Sequence, residues 1–264
     1  MDLMTLLGVF VGGGSILFVM AHGGILHFLF NIEAIILIFG GTLGSVMISH
    51  PWSVLRLVPS AIKMMFLPPR GTDPLLLSHA LTDLAEKARR MGPEALDPEM
   101  SAVHHPFLVE GIELLQDGLD FETVKGRLEK DISTTHNRRQ QLIDVFRSAA
   151  TYSPIFGLLG TLVGVVQVLR NITNPAAMGA SMAVAMTASF YGIFSANFIF
   201  LPVSRKLSYF MEAEGVDREI IAVGVLSILA GDAPWLVAKK LEAYLSAAQI
   251  KDRKSILSEH GIRV

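Results

Sequence analysis

The sequence predicts an all-α integral membrane protein with four transmembrane helices, and three observations carry that prediction. Two long uncharged stretches, residues 148–169 and 171–204, are separated only by Arg170. Between Asp2 and Arg56 the only charged residue is Glu33. Of the 264 residues 51% are hydrophobic and only 17% charged, and the mean hydropathy of +0.49 lies well above that of soluble domains.

Taken in order, residues 1–50 hold the first two spans, 3–21 and 32–49, each close to the ~20 helical residues that cross roughly 30 Å of hydrocarbon. The first lacks a basic leader and an A-x-A site, which favours a retained span over a cleaved signal peptide. Residues 51–147 are far more polar. They open on Phe66-Leu67-Pro68-Pro69-Arg70-Gly71, a run that ends any incoming helix. Helical periodicity follows: Pro74 leads Leu77, Leu81, Leu84 and Ala88 up to Gly92-Pro93, and Pro106 leads Leu108, Ile112 and Leu115 up to Gly118. A third helix starts at Phe121 with Val124, Leu128 and Ile132 and continues toward the membrane through Leu142 and Phe146.

Residues 148–204 hold the third and fourth spans, 152–169 and 181–203, which contain no Asp, Glu, Lys, Arg or His. Small and polar residues punctuate both, among them Gly157, Gly160, Thr161, Gly164, Thr187, Ser189, Gly192, Ser195 and Asn197. That pattern suits helices packed around a path. Pro154 and Pro202 fall near one end of each, where a proline frees a carbonyl and predicts a kink, and the sequence places the two at one membrane depth as a hinge. Residues 205–264 return to helical periodicity, with a breaker at Gly231-Asp232-Ala233-Pro234 and a last helix from Trp235 to about Leu245. The stretch 110–118 resembles 223–231, which suggests paired helical hairpins.

Charge orients the chain. Of the 22 Lys and Arg, 12 lie between Arg56 and Arg147, nine between Arg205 and Arg263, and one is Arg170. The two basic blocks are therefore expected on the cytoplasmic side, with both termini inside. A net charge of -2 gives no footprint for nucleic acid, and zero cysteines exclude disulfides and zinc-thiolate sites.

No residue pattern here supports an enzyme. Gly12-Gly13-Gly14 and Gly40-Gly41 lack the Gly-Lys-Ser/Thr of a phosphate loop, and the spacings Gly8/Gly12, Gly40/Gly44 and Gly160/Gly164 suit close helix packing instead. His104-His105 has no third metal ligand at helical spacing, and His22 and His27 fall in an outward loop. No metal or cofactor is expected. An ion path usually carries an ionisable group near mid-bilayer. Glu33 sits at the edge of its span, so a path here needs a carboxylate from a partner, with the hydroxyls of Thr161, Thr187 and Ser189 beside it.

The motif 152–164 (Tyr-Ser-Pro-Ile-Phe-Gly-Leu-Leu-Gly-Thr-Leu-Val-Gly), Leu169-Arg170-Asn171, Asn174-Pro175, Met182-Ala183-Val184-Ala185, Phe190-Tyr191-Gly192 and 197–202 resemble the MotA/PomA flagellar stator subunit family, wider kin of TolQ and ExbB. Two extra amino-terminal spans favour the four-span stator type. The resemblance implies a homopentamer around two copies of a single-span MotB-like subunit that supplies the ion-carrying Asp, in the bacterial inner membrane. It assigns Pro154 and Pro202 as hinges, and Thr161, Thr187, Ala188, Ser189, Gly157, Gly160 and Tyr191 to the ion pathway. The segment 88–97, Ala-Arg-Arg-Met-Gly-Pro-Glu-Ala-Leu-Asp, is similar to the family's contact with the rotor protein FliG, implying roles for Arg89, Arg90, Glu94 and Asp97. Pro93, Glu94 and Asp97 depart from the family pattern there. Sodium-type relatives pair two threonines where this chain has Ala188-Ser189, so protons are expected ahead of sodium, on ligand count. An ExbB/TolQ-like envelope energiser and a self-contained channel are the competing readings.

Overall fold

The computed structural model describes residues 3–24, 30–68, 71–97, 101 and 103–251. Its helices run in chain order as α1 Leu3–His22, α2 Ile32–Ser49, α3 Trp52–Leu55, α4 Val58–Phe66, α5 Pro74–Met91, α6 Pro106–Gln116, α7 Phe121–Arg170, α8 Pro175–Leu229, α9 Pro234–Leu241 and α10 Ala247–Lys251. Among the described residues there is no strand. Four helices, α1, α2, α7 and α8, are long and apolar enough to cross a membrane, as the sequence predicts. His27, Pro69 and Arg70, and the tail beyond Lys251 lie outside the described residues.

The chain divides into two compact units, one made of Met1–Pro69 with Arg138–Phe210 and the other of Arg70–Asn137 with Met211–Val264. The first unit is inside out by soluble standards. Phe10, Phe18 and Ile48 are more than 70% exposed, and α1 buries no residue at all. Such surfaces are stable only against hydrocarbon or other apolar protein. α2 starts cleanly because Asn31 accepts a hydrogen bond from the Ala34 amide at 3.0 Å, and Glu33 lies exposed in the first turn, where a carboxylate suits the helix dipole.

Two departures from α geometry mark the spans. A π turn occupies Ile36–Gly40 in α2 and another Ser195–Phe200 in α8. The second lies just upstream of Pro202, whose missing N–H and ring the wider turn accommodates. α7, by contrast, runs as helix through Pro154 without interruption over 50 residues. The expected pair of kinks is thus a π turn in one helix and an unbroken segment in the other.

The second unit is a conventional helical core. Leu77, Leu81, Leu84, Leu108, Ile112, Leu115, Val124 and Leu128 are all buried against Ile220, Ile221, Val225 and Val237. Burial of such side chains contributes about 1.5–3 kcal/mol each. α5 opens with Asp73 capping Leu75 at 2.9 Å and closes at Gly92, whose φ of +93° no L side chain adopts readily. The two similar segments identified in the sequence meet: a Cβ on Gly111 of α6 would fall 2.7 Å from a Val225 methyl of α8.

Arg218 organises the polar part of this unit. Its guanidinium donates to Asp131 at 2.5 Å and to Glu214 at 3.4 Å, and lies 4.9 Å from the centre of the Phe107 ring. His105 caps α6 by accepting from the Phe107 amide at 3.2 Å, and its pKa is lowered by burial and by the nearby Arg218 charge. At the residue before Arg218, burial pushes the Asp217 carboxyl up to about 6, with the negative charges of Glu214 and Asp73 adding to the shift and a Thr72 backbone hydrogen bond opposing it. A carboxyl raised in the folded state holds its proton longer than in the unfolded chain, so its contribution is fully present below about pH 4 and is lost as pH rises through about 6. Replacing Asp217 by Asn keeps an acceptor for Thr72 and removes the ionised form. We expect Asp217→Asn to gain about 2 kcal/mol at pH 7 and nothing at pH 4, read as a pH-dependent shift in thermal unfolding followed by circular dichroism.

Candidate functional site: the seam between the third and fourth spans

The third and fourth spans touch through their backbones. A Cβ added to Gly192 of α8 would lie 2.8 Å from the Ser153 carbonyl oxygen and 2.9 Å from the Gly157 Cα of α7. One added to Gly160 would meet the Ala188 methyl at 2.3 Å, and one on Gly164 the Ala185 methyl at 2.5 Å and the Ser181 carbonyl at 3.0 Å. Successive turns of each helix therefore present a hydrogen or a methyl to the partner. Small residues are the route to close approach where no water drives helices together and dispersion must do so instead.

At one end of this seam Ser153 and Ser195 share a buried hydroxyl contact of 2.5 Å, and Ser195 also donates to the Tyr191 carbonyl at 2.6 Å. Ser153 and Ser195 are both fully buried. Their pairing was not legible in the sequence, where serines in apolar helices look alike. Its only signal is that Ser153 directly precedes Pro154 and stands one turn from Gly157.

The second span covers the seam. Ala34 and Ile38 pack with Ala188, with Phe156 and Tyr191 beside them. Phe156 lies so close to Gly41 that a Cβ there would fall 2.3 Å from the ring, which is why the chain has glycine at the end of the α2 π turn. Two hydrogen bonds close this corner, Ser49 to the Tyr152 hydroxyl at 2.9 Å and His50 Nε2 to Ser148 at 3.1 Å.

The residues expected along an ion pathway separate into three groups. Gly157, Gly160 and Ala188 are taken up by the seam itself, and Thr187 is buried. Thr161 and Ser189 are half-buried, and the Thr161 hydroxyl donates to the Leu158 carbonyl at 2.6 Å within its own helix. Tyr191 faces Phe39, 6.4 Å between ring centres, on the side of α8 turned to the first two spans. Flanking the seam, Leu158, Leu162, Val166, Met182, Met186 and Ile193 are all more than half exposed.

The two prolines do not share a level. Ser153 pairs with Ser195, so Pro154 stands beside residue 195, and Pro202 lies seven residues farther along α8, about 10 Å at 1.5 Å per residue. The glycine expectation also divides: Gly12, Gly160 and Gly164 are in tight contacts, whereas Gly8, Gly40 and Gly44 have nothing within 4 Å in this chain.

In the other unit, Arg89 and Arg90 are exposed in the last turn of α5, with Arg90 paired to Glu86. Glu94 is exposed in the 3₁₀ turn Pro93–Ala95, and Asp97 follows the fully buried Leu96, whose carbonyl accepts from Gln116 at 2.6 Å. The structure thus gathers all four charges around one anchored turn.

A substitution separates seam from surface. Gly192→Ala should lose about 1–3 kcal/mol by overpacking against backbone that cannot yield, whereas Gly44→Ala should leave thermal unfolding in detergent unchanged.

The sequence profile described as the MotA/TolQ/ExbB proton channel family matches residues 99–220. The chain is 34% identical over 250 residues to "Chemotaxis protein PomA" of Vibrio alginolyticus, covering 93% of this chain and 96% of that one. It is 32% identical to "Motility protein A" of Borreliella burgdorferi, covering 99% of each. Among solved structures, it resembles that of C. jejuni MotAB with a TM-score of 0.83 at 25% identity, over 94% of this chain and 97% of that one. It also resembles the flagellar MotAB stator complex of Bacillus subtilis with a TM-score of 0.79 at 29% identity, over 95% and 98%. With full-length relatives above 30% identity and four apolar helices in the same fold, the chain belongs to the MotA/PomA family of flagellar stator subunits, within the wider MotA/TolQ/ExbB proton channel family, and is a multi-pass protein of the bacterial inner membrane.

Proposed function

We propose that this chain works as the larger subunit of a stator that turns an ion-motive force into torque on the flagellar rotor, with protons as the driving ion. The observation that carries this reading is a seam of bare backbone flanked by hydroxyls in two spans with no ionisable side chain. Such a surface offers oxygen ligands and no group that can hold a proton. A single-span MotB-like partner would bring the carboxylate, and relatives solved as MotAB complexes support that pairing. Five copies around two partner helices would cover the exposed stripes of Leu158, Leu162 and Val166 and of Met182, Met186 and Ile193.

In this reading Thr161 and Ser189, half-buried beside the seam, flank the ion, and the free carbonyls that Pro154 and Pro202 create give α7 and α8 two distinct places to flex. The polar unit and both termini lie in the cytoplasm, as the basic residues indicate. There Arg89, Arg90, Glu94 and Asp97 would press on FliG. The exposed rim of ion pairs suits transient electrostatic contact, which is quick to form and release. No cofactor is required, and H⁺ is cargo. Ala188, where a threonine would add an oxygen ligand for sodium, supports the proton.

Swimming speed of cells carrying this subunit with its native partner tests the reading, in sodium-free and sodium-rich media and with Pro154→Ala alongside. We expect speed independent of sodium and abolished by the proline change. Dependence on sodium would overturn the ion assignment, and normal motility in a deletion strain would move the chain to an envelope energiser of the ExbB/TolQ kind.

A further inference from the structure

Thr42 is only 1% exposed in the second span, yet its hydroxyl has no hydrogen-bond partner among the described residues. Serines and threonines in membrane helices ordinarily donate to a carbonyl one turn back, as Ser49 does to Ser45 in the same helix. A buried hydroxyl without such a partner is costly and calls for one. Its neighbours fix its level. Ala34, Ile38, Thr42 and Val46 are the buried residues of α2 and recur every four, so they share the face turned to the third and fourth spans. On one side of Thr42, Ile38 packs with Phe156, Ala188 and Tyr191, and on the other Val46 clusters with Ala149 and Phe200. Between these two levels lie Ser153 of α7 and Ser195 of α8, with their buried hydroxyl contact. All three helices also depart from regular α structure here. One π turn ends at Gly40, two residues before Thr42, and the other begins at Ser195. Pro154 follows Ser153 and leaves the Ala150 carbonyl without its helical donor.

We propose that Thr42, Ser153 and the Ala150 carbonyl hold one buried water molecule between the second span and the seam. The hydroxyl protons leave a complementary set of groups. The single proton of Ser195 goes to the Tyr191 carbonyl, so Ser153 is the donor in the Ser153–Ser195 contact and keeps its own lone pairs. Thr42 has a proton to give, and Ser153 and Ala150 have lone pairs to receive one. A water that accepts from Thr42 and donates to the other two makes three hydrogen bonds, the usual number for an interior water. A hydrocarbon group could serve none of them. A bare cation is disfavoured because every ligand here is a neutral oxygen, and Glu33, the only carboxylate in the second to fourth spans, lies nine residues from Thr42, about 13 Å. With the water in place, the turn that Pro154 leaves incomplete is bonded through a partner that can shift. α7 can then lean at Pro154 without baring a polar group to hydrocarbon.

The test is a cryo-electron microscopy map of the full chain with its native partner in lipid nanodiscs, at a resolution that shows ordered waters, in sodium-free and in sodium-rich buffer. We expect a density about 2.5–3.0 Å from the Thr42 and Ser153 hydroxyl oxygens, the same in both buffers. Thr42→Ser should keep it, and Thr42→Val, which has the same shape without the hydroxyl, should lose it. Thermal unfolding of the same complexes supplies a sign. In a hydrated site Thr42→Val strands the water's other two partners and lowers the midpoint by about 2–4 °C, whereas in a dry site it removes an orphan hydroxyl and raises the midpoint. A raised midpoint, a density that persists in folded Thr42→Val, or a density present only with sodium would overturn the proposal. So would a map of the unaltered protein with no density at this position, whether or not Thr42→Val folds.

Discussion

The contact of Gly157 with Gly192 is the constraint on which the membrane unit depends. Two helices whose backbones meet there have no room even for a methyl at Gly160 or Gly164, which face the methyls of Ala188 and Ala185. Everything around them follows from that choice. Ser153 and Ser195 come within hydroxyl reach, Phe156 is driven onto Gly41, and α2 opens into a π turn ending where that ring arrives. In a hydrocarbon phase such a seam gains dispersion and loses little side-chain entropy, because glycine and alanine have almost none to lose.

The polar unit follows opposite rules. Its core is leucine and isoleucine packed by area, its helices end at glycines with positive φ, and the half-buried guanidinium of Arg218 is held on three sides by Asp131, Glu214 and the Phe107 ring. Among the described residues no cation pairs with Asp217, at the edge of this cluster. Its raised pKa comes first from burial, and the nearby charges of Glu214 and Asp73 add to it.

Legibility of these features from sequence tracked how local the physics was. Spans 3–22 and 32–49, and the helix starting at Pro74, could be read within a residue or two because composition and proline placement decide them. The helix through Phe121 could be seen to continue because no breaker intervenes before Pro154. What was not legible depended on register between distant segments. Pro154 and Pro202 look equivalent along the chain, yet the Ser153–Ser195 contact sets them about 10 Å apart. Gly40 and Gly44 carry the same spacing as Gly160 and Gly164, yet only the latter meet another helix within this chain, while Gly41 between turns takes the contact instead. The helix Val58–Phe66 also escaped notice, since its short apolar face is interleaved with Pro59 and Lys63.

A seam made of bare backbone also has a mechanical character. Ordinary helices lock through ridges of side chains seated in grooves, which resist sliding as much as separation. Gly157, Gly160, Gly164 and Gly192 raise no ridges, so resistance to sliding falls to the Ser153–Ser195 hydroxyl contact, while Phe156 against Gly41 ties α7 to α2 instead. The hairpin is therefore stiff against being pulled apart and compliant in shear, the anisotropy of a bearing surface.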